Sequence, residues 1–404
     1  RDYYASRGLG DVYKRQMVAI VFLAAAACSD DEESAADAMG LTTMAAYTDG
    51  LELSWEAVPG AVGYEVEYAS ASGAETLRAG DPKIALMDLM PGTEYSVRVR
   101  SIGENSSGAW IGPVKARTAA FSVSLTSYNV LATEAKSPWE GRVQAVHDLI
   151  RKADHDPDVL CLQECGTDPV LSDMQRLLAD EYDVHVVAVS TADPALIFWK
   201  RDKFEKTGAG YTNMLLGDPN YTSADFPTSR YAHFVKLREK NSGKEFLVYN
   251  IHIKTNGTST SYQKLRYDCI SALCPAARQR ASEEGGIPVF ILGDFNNYWN
   301  TVDNGVISAP AACASFGFVD SPTIARECVN LNYKTSSVDL NGFAEPRDNG
   351  NYRIDYVFGY SFTPFGVSKY QTVIDFVDKA THRIATPVPS DHHPVNAIFH
   401  LSYH

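Results

Sequence analysis

The stretch Val289-Phe290-Ile291-Leu292-Gly293-Asp294-Phe295-Asn296 decides how the chain is read. Four consecutive apolar residues, β-branched and aromatic among them, form a strand with no face for water, and the run breaks at a glycine followed by an acid and an amide. The same change recurs along the chain. Val123 to Leu125 leads to Tyr128-Asn129, Val159 to Leu162 leads to Gln163-Glu164, and Phe246-Leu247-Val248-Tyr249 leads to Asn250-Ile251-His252. Arg353-Ile354-Asp355-Tyr356-Val357 embeds an acid within a strand, and because burying Asp355 unpaired is costly, it needs a partner. Ser390-Asp391-His392-His393-Pro394 precedes a closing strand from Val395 to Leu401. Helical segments lie between the strands. Ser137, Pro138 and Glu140 fit the N-cap, N1 and N3 positions of a capping box, with Val143, Val146 and Ile150 following on one face and Asp156-Pro157 as the stop. From Phe121 onward this alternation predicts sheet covered by helical layers.

Each polar end has an ordinary explanation when taken alone. Asp294 and Asn296 fit a turn, Asn129 a loop cap and Glu164 a solvated strand end. His252 fits a core histidine, and His392 with His393 a surface pair. Taken together they have another reading, because strand ends of one sheet bring distant residues into one cleft, where ligands of α/β proteins commonly lie. Acids, histidines and amides without cysteine suit a phosphate group and a hard cation such as Mg²⁺.

In this order the motifs resemble the endonuclease/exonuclease/phosphatase superfamily, across residues 121–404. The pieces that carry the resemblance are Tyr128-Asn129, Leu162-Gln163-Glu164, Asn250-Ile251-His252, Gly293-Asp294-Phe295-Asn296, Ile354-Asp355-Tyr356 and Ser390-Asp391-His392 with Pro394. The resemblance implies an α/β (α+β) four-layer sandwich, deoxyribonuclease I-like. It implies a metal centre at Asn129, Glu164 and Asp391, occupied by Mg²⁺, with Mn²⁺ or Ca²⁺ as alternatives. Asp294 and Asn296 would surround the attacked phosphate, Asp355 would orient His392, and His252 would contact the phosphate or assist the leaving oxygen. Asp294 and His392 remain rival bases. Two softer matches are Arg230, placed like a phosphate-contacting arginine, and Asp193, which stands where the deoxyribonuclease branch has a glutamate supporting the first histidine.

Ahead of this region, residues 41–118 alternate apolar and polar positions over short runs, as in Leu51-Glu52-Leu53-Ser54-Trp55 and Tyr64-Glu65-Val66-Glu67-Tyr68. Leu89-Met90-Pro91-Gly92-Thr93-Glu94-Tyr95-Ser96-Val97-Arg98-Val99, together with Trp55, resembles a fibronectin type III domain, an all-β immunoglobulin-like sandwich in which Tyr95 is the corner tyrosine. No titratable groups at catalytic spacing occur there, and it reads as a spacer or adhesion module. The short junction Thr118-Ala119-Ala120 implies close coupling of the two domains.

Residues 17–28 run through apolar Met17 to Ala27 into Cys28 and resemble a bacterial lipoprotein signal, whereas residues 1–16 read as a non-native leader. Residues 29–40 open with Ser29-Asp30-Asp31-Glu32-Glu33 and read as an acidic tether. The resemblance implies export and attachment to a bacterial membrane, the outer one expected, through lipid on Cys28. No apolar run is long enough to cross a bilayer as a helix. Six cysteines remain; Cys161 and Cys165 at a strand end lie roughly 13 Å apart if extended, too far to bridge, and Cys313 with Cys328 is the favoured pairing.

The chain has 404 residues and a formal charge of -14, which argues against a broad cationic surface for nucleic acid but leaves room for a nuclease with a local cleft. The expected function is therefore a metal-dependent phosphoesterase, with extracellular DNA or RNA as the favoured substrate and lipid or sugar phosphates as the alternative. The rival of another class is a catalytically inactive surface-binding lipoprotein. No protein partner is expected.

Overall fold

The computed structural model describes residues 40–131, 137–152, 154–165, 168–186, 196–214, 231–253, 260–347 and 350–403. The leader, the signal segment with Cys28 and the tether up to residue 39 lie outside them.

Residues 42–117 form two facing antiparallel sheets. Thr42–Tyr47, Gly50–Ser54 and Lys83–Leu86 make one; Gly73–Ala79, Gly63–Ser70, Glu94–Ile102 and Ile111–Arg117 make the other. The alternation read from the sequence is realised as burial: Leu51, Leu53, Trp55, Tyr64, Val66, Val97 and Val99 close one apolar interior. Tyr95 sits at the corner, its hydroxyl oxygen accepting the Met90 N–H at 3.0 Å.

Among the described residues the second domain is built on two large sheets of seven and six strands, with two short two-stranded ribbons beside them. The first sheet contains β1 (Phe121–Asn129), β2 (Val159–Gln163), β3 (Tyr182–Val186) and β4 (Leu196–Lys200). The second contains β5 (Phe204–Asn213), β6 (Tyr231–Glu239), β7 (Glu245–His252), β8 (Val289–Asp294) and β9 (Val319–Asp320). β10 (Ala325–Val329) returns to the first sheet, β11 (Asp355–Tyr360) to the second, and β12 (Gly366–Thr372) and β13 (Val395–Leu401) complete the first. The orders are β3-β4-β2-β1-β13-β12-β10 and β5-β6-β7-β8-β11-β9. Four helices cover the outer faces: α1 (Val143–Ile150) and α2 (Val170–Leu178) on the first sheet, α3 (Thr260–Glu283) and α4 (Ala309–Ser315) on the second. The result is helix, sheet, sheet, helix, the four-layer arrangement expected.

Strand alternation fixes which side chains meet between the sheets. Val123, Leu125, Val159, Cys161, Val248, Phe290, Leu292 and Val357 point inward and form the central core. Burying one Leu or Phe there contributes about 2 kcal/mol. Residues two further along the same faces are Ser127, Gln163 and Asn250, so the interior turns polar toward one end. Gln163 donates to Asn250 Oδ1 at 2.8 Å and to Ser127 Oγ at 3.2 Å, and Asn250 Nδ2 donates to the Leu162 and Leu196 carbonyls, each at 2.9 Å. These bonds join the sheets below the mouth of the sandwich.

Two local expectations are corrected. The capping box does not form: Trp139–Gly141 is a single 3₁₀ turn with no side-chain cap, and α1 begins only at Val143. The Ser137 carbonyl instead accepts from Arg142 Nε at 3.0 Å, and Trp139 is buried with its indole N–H on Asp173. The Cys313 and Cys328 thiols are both free, and Cys328 is exposed while Cys313 is buried against Cys274, on α3. Cys328 lies on β10, at the edge of the other sheet, so layer topology keeps the pair apart.

The first domain docks on the end of the sandwich opposite the polar one. Tyr47 is buried beneath the Arg326 guanidinium, which also pairs with Glu52 at 3.0 Å. Its ring meets His400 edge-on at 5.2 Å, and the Thr48 N–H donates to His400 Nδ1 at 3.2 Å. Gly366 faces this ring, and a Cβ there would lie 2.5 Å from it.

Candidate active site at the mouth of the sandwich

Parallel pairing of β1 with β2 and of β7 with β8 brings the C-terminal ends of four strands to one rim, and the antiparallel β11 and β13 start at that rim. The register is specific: His252 is the partner of Asp294 across β7 and β8, and Asp294 is the partner of Asp355 across β8 and β11. The three side chains form one row on the inward face. Gly293 makes this possible, since a Cβ there would fall 1.9 Å from the Ile251 carbonyl oxygen on the neighbouring strand.

Two carboxylates directly opposite each other, both fully buried, repel. Burial and the neighbouring Asp355 push the Asp294 carboxyl up to about 6. Its oxygens are satisfied by the Asn296 N–H on Oδ1 at 2.7 Å and Asn129 Nδ2 on Oδ2 at 3.2 Å. His252 Nε2 lies 3.6 Å and His392 Nε2 3.8 Å from the same Oδ2.

Asp355 has the partner its burial demands. His392 Nδ1 lies 3.0 Å from its Oδ2 and 3.2 Å from its Oδ1. Burial works against a charged imidazole, yet the Asp355 carboxylate, through charge and hydrogen bond, with Asp294 and Asp391 beyond, carries His392 up to about 10. The ring is held by one acid and aimed at another. Neither histidine of the pair is on the surface, and His393 stays neutral, pushed down to about 3 by burial and by His392.

The remaining acids occupy the first-sheet side of the mouth. Asn129 Nδ2 donates to Glu164 Oε1 at 3.0 Å as well as to Asp294. Glu164 adopts a left-handed φ of 55°, and Asn296 one of 48°, conformations that cost a non-glycine residue of order 1 kcal/mol and cluster at functional sites. Asp391 is raised by burial and by the nearby Glu164 charge, offset in part by His392, and its Oδ1 is buried with no hydrogen-bond partner among the described residues. An orphaned carboxylate oxygen with a second carboxylate near it is the kind of oxygen donor set that suits a hard divalent cation.

Asp294, Asp355 and His392 also offer ligand atoms within 4.8 Å of one another. In that trio the His392 Nδ1 and both Asp355 oxygens are already engaged with each other, which leaves the oxygen-rich side of the mouth as the freer cation site. The structure therefore separates a row of two acids and two histidines from an oxygen-rich side, with Asn129 between them.

Asp193 and Arg230 lie outside the described residues, as does Ser229. Several positions that shape the site were given no role by the sequence. Arg142, 1% exposed, donates to the Val130 and Leu131 carbonyls just after Asn129 and to the Pro389 carbonyl just before Ser390, tying two rim loops together. Ser390 Oγ donates to the Asn129 carbonyl at 2.7 Å and accepts the His392 N–H at 3.1 Å. Thr335 Oγ1 accepts from the Ile354 and Asp355 N–H groups. Arg266 on α3 is partly buried and near enough to Asp294 for the charges to interact. For Gln163 and Asn250 strand parity was an available signal; for Arg142 and Thr335 there was none.

Residues 126–392 match the family model described as Endonuclease/Exonuclease/phosphatase family, and residues 39–117 match that of the Fibronectin type III domain. No curated protein matches the chain. Among solved structures the chain is similar to an endonuclease/exonuclease/phosphatase family protein from Bacteroides thetaiotaomicron, at 24% identity and a TM-score of 0.54, over 70% of this chain and 99% of that one. A mannosyl-6-phosphatase from Bacteroides thetaiotaomicron is 23% identical with a TM-score of 0.52, over 68% and 98% of the two chains. An endonuclease/exonuclease/phosphatase from Bacteroides vulgatus is 20% identical with a TM-score of 0.53, over 70% and 100%. At these identities the likeness is one of fold. The family match spans well over half the chain and ends on His392, so the chain belongs to the Endonuclease/Exonuclease/phosphatase family of phosphoester hydrolases and carries a fibronectin type III domain ahead of it.

Proposed function

We propose that the second domain is a divalent-metal-dependent hydrolase of phosphate esters. The observation that carries this is the division of the mouth into the His252, Asp294, Asp355, His392 row and the Asn129, Glu164, Asp391 side, the latter with an orphaned carboxylate oxygen. Asn129, Glu164 and Asp391 would hold the cation, which when bound supplies positive charge to offset the charge that builds up at phosphorus.

The chain's own groups account for the proton chemistry. Asp294 is ionised over most of its population at neutral pH, is sealed from bulk solvent and has two hydrogen-bond donors that fix its orientation, so it takes the proton of the attacking water. His392, whose proton the surrounding acids favour, serves as the group facing a phosphoryl oxygen, with Asp355 fixing its ring. His252, across the row, stands by the leaving oxygen. Between the rival bases we favour Asp294.

For substrate we favour a compact phosphoester, a sugar phosphate or a lipid head group, over the extracellular nucleic acid expected from the sequence. Lys334 and Arg347, on the loop that supplies Thr335, both pair with Glu345, and Arg353 is buried on Asp320. Among the described residues these three cations are already paired with acids, while polynucleotide binding calls for cations turned toward phosphates. We also place the activity outside the cytoplasm, on lipid at Cys28; loss of fatty-acid labelling in Cys28→Ala is the check.

The deciding experiment is a screen of the purified chain against plasmid DNA, RNA, sphingomyelin, mannose 6-phosphate and generic phosphomonoesters in Mg²⁺, Mn²⁺ and Ca²⁺, with and without chelator. Hydrolysis that survives chelator and is unchanged in Asp294→Ala sinks the reading. Absence of turnover, with no calorimetric binding of Mg²⁺, would instead support an inactive binding scaffold.

A further inference from the structure

Behind the catalytic strand β8, α3 and α4 pack against each other and against the second sheet. At their contact the Cys274 and Cys313 Sγ atoms lie 3.6 Å apart, and both residues are fully buried. No metal-ligating role fits two thiols in an apolar interior lined by Leu273, Ala277, Ala309 and Ala312. The same two helices support the loop that leaves the site: Asn297, next to Asn296, donates to Gln263 Oε1 on α3 at 3.0 Å and accepts the Ala309 N–H at the start of α4 at 2.7 Å.

We propose that Cys274 and Cys313 are a disulfide-forming pair that staples α3 to α4 and thereby fixes the loop after Asp294. The chemistry is thiol-disulfide exchange with an external disulfide such as oxidised glutathione or a dithiol oxidase. One cysteine thiolate attacks the external disulfide, forming a mixed disulfide and releasing one thiol. The second thiolate then attacks the protein sulfur of that mixed disulfide and releases the other thiol. Two cysteines lose two electrons and two protons in all, and the external disulfide gains them as two thiols. The step belongs to folding. Once the helices have closed, neither sulfur is accessible, and burial beside Cys274 raises the Cys313 thiol far above its ordinary range, which starves the reaction of thiolate. The bond that forms during folding is sealed from reductant for the same reason.

The pair closes a loop whose ends are 39 residues apart, and a link of that span restricts the unfolded chain strongly. The test refolds the full chain from denaturant in a glutathione redox buffer, traps free thiols by alkylation and maps the unreduced digest by mass spectrometry. The expected result is one linked species joining the Cys274 and Cys313 peptides, two hydrogens lighter than the reduced pair, with Cys161, Cys165, Cys269 and Cys328 alkylated. The melting temperature of that material should fall by about 5 to 10 °C when it is unfolded and refolded with reductant, and Cys313→Ala should melt at the lower temperature with or without reductant. Recovery of Cys274 and Cys313 as alkylated thiols, or a link from either one to Cys269, overturns the proposal. So does a melting temperature indifferent to reductant. None of these readouts depends on catalysis.

Discussion

The two ends of the catalytic sandwich are built from the same strands and have opposite character. At the mouth, inward positions carry like charges in register, left-handed backbone at Glu164 and Asn296, and an acid oxygen without a donor among the described residues. At the base, the same inward and junction positions carry Phe121 in ring contact with Phe204, Phe246 and Tyr403, with Tyr47 of the first domain sealed under Arg326. One end is arranged for chemistry at a cost in stability; the other, with the central core, offsets that cost. If this division is right, substitutions at the mouth should change rate without lowering stability, and substitutions at the base should do the reverse.

The sharpest break of the comparison is Asp294→Asn. Removing the proton acceptor should lower kcat/KM by about 10³-fold or more, while the melting temperature stays level or rises because the repulsion with Asp355 is gone. Loss of activity together with a clear drop in melting temperature would show that the mouth is a structural element after all. Asp355→Asn is the next largest. It removes the charge that holds the His392 proton, and activity should fall by about 10² to 10³-fold with intact circular dichroism. Steady-state rates near wild type would break the link between the two residues.

At the other end, Tyr47→Ala empties a buried aromatic site and strands Arg326 over a void. The expected loss is about 3 to 4 kcal/mol of unfolding free energy by urea titration, with kcat within about twofold of wild type at low temperature. A large fall in kcat without loss of stability would mean that the first domain acts on the mouth through the length of the sheets.

These outcomes also mark how far the sequence alone could see. The inward row at the mouth was legible, because period-two alternation carries Phe290 and Leu292 to Asp294, and Val248 to Asn250 and His252, without any tertiary knowledge. The sandwich of residues 41–118 was legible for the same reason. What escaped depends on contacts between segments far apart in the chain. Ser137 reads as a helix cap until Arg142 claims its carbonyl, and Cys313 faces Cys274 only because α3 and α4 share one face of the second sheet. The acid pairing of Asp294 with Asp355 is likewise a matter of register, which no local pattern specifies.

The smallest effect tests the base by pH. His400 is buried at the joint, where its Nδ1 accepts from Thr48 N–H and where the Arg326 charge opposes protonation, although Asp49 partly favours it. Burial dominates and takes its pKa down to about 4, against about 6.5 for an ordinary histidine. The unfolded chain therefore binds this proton more tightly than the folded one. His400 contributes its full stability above about pH 6.5, loses it progressively as pH falls below that value, and loses no more once the pH is under about 4. At pH 5 the loss is about 2 kcal/mol, and His400→Gln should remove that part of the acid sensitivity. Buried His155, also neutral and pushed down to about 4, titrates alongside it, so the measurement is the difference between wild type and variant across pH 4 to 7, not either curve alone. Parallel curves would show that the joint carries no proton-linked stability. Converging curves would place the acid weakness of the molecule where the first domain meets the base, well away from the charged mouth.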